Sequence, residues 1–181
     1  MWIALLGRCL RGYWELLLVP LAIAYSHMAE WVLHKYVLHG LGKKKSSKFS
    51  FHWHGHHRKA RKNKFYDYDY KHPFKGPAAR ELRSLGIVLL IHLPLVFVLP
   101  IVYGTLVLCT IRYFYLHRKM HLDPGFAKTH YPIHWDHHMG KNQNKNWAVT
   151  VEWPDRLLGT RQEPRQMTIH SNLRNKYPRL W

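Results

Sequence analysis

Residues 14–33 read WELLLVPLAIAYSHMAEWVL, a stretch of twenty residues whose two charged side chains, Glu15 and Glu30, lie near its ends. A bilayer core about 30 Å thick is crossed by roughly 20 helical residues, so this stretch is long enough to span a membrane once. Pro20 is tolerated in a membrane helix, although it is expected to kink it. The stretch therefore predicts an integral membrane protein built from helices.

A second apolar stretch covers residues 86–116 and is interrupted by Pro94 and Pro100. It fits either one long kinked helix or a hairpin of two short membrane helices that turns near residues 100–104. Histidine clusters precede and follow this stretch, and they can share one site only if both of its ends emerge on the same side. This condition favours the hairpin, because a chain that enters the membrane and turns back returns to the side it left. Each arm would have about 16 residues and reach about 24 Å.

The charge distribution predicts the orientation of the chain. There are 28 Lys and Arg against 10 Asp and Glu, a formal net charge of +18. Such an excess is typical of nucleic-acid binding, but also of membrane proteins with basic cytoplasmic loops. The apolar stretches and the lack of an RNA- or DNA-binding motif favour the membrane protein, with no nucleic-acid partner. Residues 34–85 and 117–181 carry 14 and 11 of the basic residues, so both regions are expected to face the cytoplasm.

Sixteen of the 181 residues are histidine, and ten of these fall into four spaced groups at the predicted membrane exits. The four groups are His34/His39, His52/His56/His57, His117/His121 and His134/His137/His138. Histidine is the commonest transition-metal ligand, and spacings of three or four residues place imidazoles on one helical face. On an ideal α-helix, the five-residue spacing of the first group turns its rings about 140° apart. That angle suits ligands that reach different metals or opposite edges of one site.

Ten imidazoles exceed one structural zinc site and suit two metal ions with about four to six ligands each. Imidazole by itself does not choose among iron, zinc, copper and nickel. The two cysteines, Cys9 and Cys109, form no spaced pair that indicates a zinc ribbon, an iron–sulfur cluster or a disulfide framework. An all-histidine, cysteine-poor site beside a membrane suggests iron that handles dioxygen, so two iron ions are the expected cofactors.

Two further choices concern the surroundings of the site. His54 competes with His52 for the place in the second group, and His52 is preferred because it lies four residues before His56. Acidic residues near the groups are candidates to accept hydrogen bonds from the ligand rings and fix their tautomers. These candidates are Asp136, Asp123 and Glu30.

The other histidines are expected to play no part in metal binding, because an isolated histidine is more often a surface or core residue than a ligand. They are His27, His72, His92 and His170. His130 is an intermediate case, since it lies four residues before His134.

In their order and spacing, the four groups resemble the histidine pattern of the fatty acid hydroxylase superfamily of integral-membrane, non-haem di-iron enzymes. The resemblance covers roughly residues 28–160. Residues 34–40 (HKYVLHG) are similar to a segment of bacterial β-carotene hydroxylases, and residues 153–160 (WPDRLLGT) resemble the WDRLFGT-type ending of fatty acid hydroxylases. Pro154 is an insertion relative to that ending. The resemblance places the family's ten metal ligands on the ten grouped histidines.

The resemblance implies an oxidoreductase that uses O2 as co-substrate and hydroxylates an aliphatic C–H bond of a lipid. The HKYVLHG segment favours carotenoids, whereas the HxxxH group and the WPDRLLGT ending favour fatty acyl chains. Acyl chains are preferred because these two features both lie after the hairpin and accompany the last histidine group. Sterols and carotenoids are alternative substrates, and desaturation is an alternative reaction. A membrane zinc-binding protein or zinc hydrolase is the alternative of another class. The expected partners are the bilayer, a lipid substrate and an external electron donor, such as a cytochrome, a ferredoxin or a reductase.

The expected architecture is an all-α, multi-pass membrane protein with a cytosolic helical cap that carries the two-metal site. Residues 1–160 are expected to form this single membrane-embedded domain, with the histidine-rich face in the cytoplasm. Residues 161–181 are expected to form a polar C-terminal tail.

Overall fold

The computed structural model describes the backbone of residues 2–162 and the side chains of residues 13–162. Every regular element in that part of the chain is helical, which confirms the all-α fold. The expected polar tail, residues 161–181, lies outside the described residues apart from Arg161 and Gln162. The division into one membrane-embedded domain and a tail stays a prediction.

The first apolar stretch lies in helix α1, which spans Trp2–Val32 and continues without a break into a π-helix, π1, at Leu33–Leu41. Among the described residues, Tyr13–Leu41 is the one helix that is both long and apolar enough to cross a membrane. Leu16 and Leu17 on this helix are exposed, as expected for side chains that face lipid.

The second apolar stretch folds as a hairpin of α3 (Gly76–Ile91) and α5 (Pro100–Leu122). The two helices run antiparallel. The Tyr103 hydroxyl of α5 donates to the Leu89 carbonyl near the turn. At the other end of the hairpin, His117 of α5 contacts Glu81 of α3. α5 also packs along α1. The hairpin thus returns the chain to the end of α1 at which the first histidine group lies.

The turn of this hairpin begins earlier than predicted, because a short helix, α4 (Leu95–Val98), fills it before α5 begins at Pro100. Proline has no N–H and fits the first turn of a helix, and it disfavours the helical conformation in the residue before it. Leu99 accordingly leaves the helical region, with φ −140° and ψ 65°. The predicted turn near residues 100–104 is therefore wrong: Pro100 starts the second arm, which is 23 residues long.

Glu15 ties α1 to the hairpin from within the first apolar stretch. This carboxylate is only 2% exposed, and its Oε2 accepts a hydrogen bond of 2.7 Å from the N–H of Ile101. The first N–H groups of a helix have no partner within the helix, and a negative charge is favourable there. Glu15 therefore caps α5 from a neighbouring helix.

Beyond the long helices, the chain folds into a helical cap. Its elements are π1, π2 (Phe51–His57), α2 (Arg58–Lys62), a 3-10 helix (Tyr68–Lys71), α6 (Pro124–His130), α7 (Pro132–Met139) and α8 (Trp153–Leu157). The buried apolar clusters are small: one consists of Phe65, Met120, Ala127 and Val149, and the other of Trp31, Trp147 and Ala148. Histidine side chains fill much of the remaining interior. Because polar groups are costly to bury without partners, the cap must be organised around a polar centre.

Gly42, at the end of π1, is a position where the backbone leaves no room for a side chain. A Cβ atom there would lie 1.9 Å from the Leu38 carbonyl oxygen and 2.9 Å from the Phe49 carbonyl oxygen. Gly42→Ala is therefore expected to destabilise the cap by about 1–3 kcal/mol, because the backbone has to shift. The measurement is the free energy of unfolding of the detergent-solubilised protein.

Gly40→Ala is the matched control, since the Cβ would meet only the Lys35 carbonyl oxygen at an ordinary 3.5 Å. Equal destabilisation by the two substitutions would contradict the steric explanation.

Candidate metal centre

The ten grouped histidines all lie in the interior of the cap, and none is more than 4% exposed. The isolated histidines lie elsewhere. His27 and His92 contact Trp153 and Tyr25 respectively, and His72 and His130 are exposed. His170 lies outside the described residues. The structure therefore separates the ten histidines from the others in the way the sequence spacing predicted, while their role as metal ligands stays a prediction.

The ten side chains form two adjacent groups of five. Each group contains four histidines whose candidate ligand nitrogens all lie within 4.8 Å of one another. Group A consists of His34, His39, His57 and His137, joined by His52. Group B consists of His56, His117, His121 and His138, joined by His134. The Nε2 atom of His52 lies 3.0 Å from that of His34, and the Nε2 atom of His134 lies 3.2 Å from that of His121.

The two π-helices explain why both five-residue pairs enter group A. His34 and His39 lie in π1, and His52 and His57 lie in π2. A π-helix bonds residue i to residue i+5, which brings side chains at this spacing to nearly the same face. The His34 and His39 ring centroids are 4.9 Å apart, so the angle of about 140° expected for an ideal α-helix is wrong here.

The two His-His pairs divide between the groups. His56 belongs to group B and His57 to group A, while His137 belongs to group A and His138 to group B. Consecutive residues of a helix point about 100° apart, so one helix edge placed between two sites serves both. The rings of His57 and His138 stack across the boundary with centroids 4.0 Å apart, which shows how close the groups are.

In several of these histidines, Nδ1 faces away from the group and Nε2 faces into it. The hydrogen bond that this outer Nδ1 makes defines the tautomer of the ring. The Nδ1 atoms of His34, His121 and His137 lie 2.5, 3.0 and 2.7 Å from backbone carbonyl oxygens. A carbonyl oxygen only accepts, so each Nδ1 must carry the proton, and each Nε2 must carry a lone pair. His56 and His117 make the same kind of bond to carboxylates.

The inner Nε2 atoms of these five rings therefore present lone pairs to the interior of the cap. In group A the Nε2 atoms of His137 and His39 lie 3.0 Å apart. In group B the buried Nε2 atoms of His56 and His117 have no hydrogen-bond partner, and neither ring nitrogen of His138 has one. A buried acceptor without a partner is costly, and a cation among the nitrogens supplies the missing partner, so the two groups fit metal ions.

Burial keeps these imidazoles in the form that binds metals. It lowers the pKa of His52, His57, His134 and His138 well below the usual value of histidine, and it lowers the pKa of His137 to about 4. The rings are therefore neutral at physiological pH, as metal ligation requires.

The carboxylates that hold the ligand rings are not the ones predicted. Asp67 Oδ2 accepts from His56 Nδ1 at 2.9 Å, and Glu81 Oε1 accepts from His117 Nδ1 at 2.7 Å. Both carboxylates are buried. One signal in the sequence pointed to them, since residues 34–85 contain only three acidic residues, of which these are two.

The three predicted acceptors serve other groups. Asp123 caps α6 through the N–H of Phe126, Glu30 accepts from the N–H groups of residues 149 and 150, and Asp136 lies 4.0 Å from Arg161. Their proximity to the histidine groups in sequence did not predict the direction of their side chains. Their assignment as partners of the ligand rings is therefore wrong.

The WPDRLLGT segment supports the site through Asp155, which is fully buried. Its carboxylate accepts hydrogen bonds of 2.8–3.0 Å from Trp31 Nε1 and from the backbone N–H groups of Trp147 and Ala148. These bonds fix Trp147, whose carbonyl oxygen receives the Nδ1–H of His34. Pro154 lies in the first turn of α8, where a missing N–H costs nothing, so the insertion is accommodated.

An apolar cavity of about 330 Å³ lies between α1, α3 and α5 and reaches the edge of the two groups. Its wall includes His34 of group A and Glu81, the partner of His117 in group B. From Glu81 the cavity follows α3 towards Ile91, where Leu85 and Val88 also line it. The ten residues between Glu81 and Ile91 span about 15 Å, so the cavity extends along the apolar helices away from the cap.

The second histidine group provides a direct test of the site. His52 is buried against His34 and His57, whereas the ring of His54 points away and lies 2.9 Å from the Lys43 carbonyl oxygen. His52→Ala is expected to reduce metal content and oxygen-dependent turnover by about tenfold or more, and His54→Ala by less than about twofold. Metal analysis of both purified variants is the measurement. A larger loss for His54→Ala would mean that the group is wrongly assigned.

Comparison with known families agrees with this geometry. Residues 19–160, more than half of the chain, match the family described as fatty acid hydroxylase. Neither the comparison with curated proteins nor that with solved structures gave a match. The matched region contains both histidine groups and the residues that hold them. The chain belongs to the fatty acid hydroxylase family.

Proposed function

We propose that the protein is a membrane-bound, non-haem di-iron oxygenase that hydroxylates an aliphatic C–H bond of a lipid, with a fatty acyl chain as the favoured substrate. The observation that carries the proposal is the pair of buried histidine groups beside an apolar cavity. The family supplies the reaction type, since it is a family of lipid hydroxylases and desaturases. The histidine groups and the cavity share two helices, π1 and α5.

Group A and group B would each hold one iron ion through the Nε2 atoms that converge within the group. When bound, the two ions would supply the site at which dioxygen is activated with electrons from an external donor. Asp67 and Glu81 hold the Nδ1–H protons of His56 and His117, and so they fix which nitrogen faces the metal. Together with the backbone carbonyls, they keep the ligand set in place before metal arrives.

The cavity would bind the lipid chain and exclude water. Leu85, Val88 and Ile91 give it an apolar wall on α3, which matches an alkyl chain and offers water no hydrogen-bond partner. Its end at His34 would direct one C–H bond towards group A. A substrate would reach the cavity from the bilayer, because α1 and the hairpin are the apolar elements around it.

The proposed arrangement in the cell is supported by the apolar helices and by the distribution of basic residues. The hairpin and α1 would cross or enter the membrane, and the cap with its basic loops would face the cytoplasm. Electrons would come from an external donor, such as a cytochrome, a ferredoxin or a reductase. Residues 1–160 would act as one membrane-embedded domain.

The test uses lipid extracts from a host that overexpresses the protein and also makes carotenoids. Acyl-containing lipids are expected to gain the mass of one oxygen atom, and the gain is expected to be lost in His138→Ala. A gain on carotenoids or sterols with unchanged acyl lipids would contradict the acyl assignment. Loss of two hydrogen atoms without added oxygen would identify a desaturase. A protein that binds zinc and consumes no oxygen would contradict the proposed function altogether.

A further inference from the structure

Trp53 connects group A with the surface of the cap. Its ring is half-buried, and its centroid lies 5.0 Å from that of His39 and 5.3 Å from that of His57. The histidines themselves are too deeply buried for another protein to touch. A protein that contacts the exposed part of Trp53 would therefore be one aromatic ring away from two members of group A.

The surface around Trp53 is strongly basic. Lys43 Nζ lies 4.9 Å from the centroid of the Trp53 ring, and Lys44, Lys45 and Lys48 of the same loop are exposed. Residues 34–66 contain ten Lys and Arg and no Asp or Glu. No acidic side chain of this segment is thus available to neutralise the loop. The exposed patch attracts anionic partners and repels cationic ones.

The contact of Trp53 with group A favours a protein partner over the membrane surface. The apolar stretch of α1 ends near Leu33, and the loop begins at Gly42, nine residues further along the same continuous helix, so the lysines lie roughly 10 Å beyond the end of the apolar stretch. Lipid headgroups extend about 5–8 Å beyond the hydrocarbon core, so both a membrane surface and a protein are within reach of the loop. Only an electron carrier makes use of the aromatic ring that lies between this loop and His39 and His57.

We propose that Trp53 and the lysine loop, Lys43–Lys45 with Lys48, are the docking surface for an acidic protein that carries single electrons, and that electrons enter the metal centre through group A. This proposal rests on the proposed function. Hydroxylation of one C–H bond by O2 takes up two electrons and two protons, since one oxygen atom enters the alcohol and the other leaves as water. Two docking events of a one-electron carrier supply the electrons. Electron-transfer complexes are small and transient, which suits a patch of this size.

The binding test uses an acidic plant-type [2Fe–2S] ferredoxin as the probe and the full chain in neutral detergent. The triple variant Lys44→Glu, Lys45→Glu and Lys48→Glu reverses the charge of the loop but keeps Lys43, which donates to Asn144. In the matched control, the same Lys→Glu change is made at three exposed lysines outside the loop, which are Lys71, Lys75 and Lys128. Both variants change the net charge equally, so a difference between them reports position rather than total charge.

The loop variant is expected to raise the Kd for ferredoxin about tenfold or more at low ionic strength, and the control by less than about threefold, because charges at the contact affect association most. The difference is expected to shrink as salt is added. Trp53→Leu is expected to weaken binding at both salt concentrations, because aromatic anchors dominate small interfaces. Equal weakening by the two triple variants would overturn the proposal. So would a loop variant that loses affinity for anionic lipid vesicles but keeps its affinity for ferredoxin.

The electron-entry step is tested by the anaerobic rate at which the ferric, iron-loaded protein is reduced. The loop variant is expected to be reduced about tenfold more slowly by ferredoxin, but at close to the normal rate by photoreduced lumiflavin, a small molecule that needs no docking surface. Slower reduction by both reductants would place the defect in the metal centre and overturn the docking proposal. If the wild-type protein binds no iron, the proposed function fails, while the ferredoxin affinities still decide whether the loop is a docking surface.

Discussion

His137→Ala and His138→Ala are each expected to lower the iron content of the anaerobically purified protein from about two ions per chain to about one, and to reduce oxygen-dependent turnover at least about a hundredfold. The two residues are neighbours on α7, yet His137 belongs to group A and His138 to group B. Each substitution therefore empties a different site while changing the same short helix.

Metal analysis and oxygen uptake measure the two effects, and circular dichroism checks that each variant keeps its helices, because metal binding and folding are coupled. The double variant is expected to hold almost no iron. His72→Ala is the control, since His72 is exposed and outside both groups. A wild-type stoichiometry of one ion, unchanged by His137→Ala, would contradict the two-metal arrangement.

Group B is expected to hold its metal more tightly than group A. Two of its rings, His56 and His117, are backed by the carboxylates of Asp67 and Glu81. In group A, the hydrogen bonds of His34 and His137 go to backbone carbonyls instead. A carboxylate makes the imidazole a stronger base, and its negative charge also attracts the cation through the ring. Backbone carbonyls orient a ring without adding a charge.

A chelator is therefore expected to remove the two ions in two steps, with the ion of group A leaving first. Asp67→Asn is expected to weaken the tighter site by about 10–100-fold and so bring the two steps together. Asp69→Asn is the matched control, because its carboxylate pairs with Lys59 and not with any of the ten grouped histidines. The ion that remains in His137→Ala should resist the chelator, and the ion that remains in His138→Ala should not. Loss of both wild-type ions in a single step would contradict this asymmetry.

The helical fold, the first apolar helix and the set of histidines inside the cap were predictable from the sequence, because they depend on local properties. The length of the apolar stretch decides whether one helix can span a bilayer, and no tertiary contact changes that length. The ten histidines were recognisable because their spacings place them in groups and because isolated histidines lack such spacing. The structure buries all ten together and leaves His54 outside, but His52 lies beside His57 in group A and not with His56, whose spacing was the reason for preferring it. The role of His52 as a ligand stays a prediction.

The division of the ten histidines into two groups was decided only by the tertiary structure. Side chains five residues apart point in nearly opposite directions on an α-helix but lie on nearly the same face of a π-helix. The sequence carries no local signal for which of the two helix types forms. The π-helices keep both pairs in group A, where His34 and His39 lie against His137 from a helix far away in the chain.

The partners of the ligand rings depend on packing between segments far apart in the chain. Trp147 lies 113 residues from His34, and Glu81 lies 36 residues from His117, so proximity in sequence pointed instead to Asp123, Asp136 and Glu30. Hydrogen bonds of buried rings are satisfied by whichever acceptor the folded chain brings near, and local spacing does not contain that information. The sequence by itself thus determined which histidines could be expected to lie together. The tertiary structure decided how they divide into two groups, and which acceptors orient their rings.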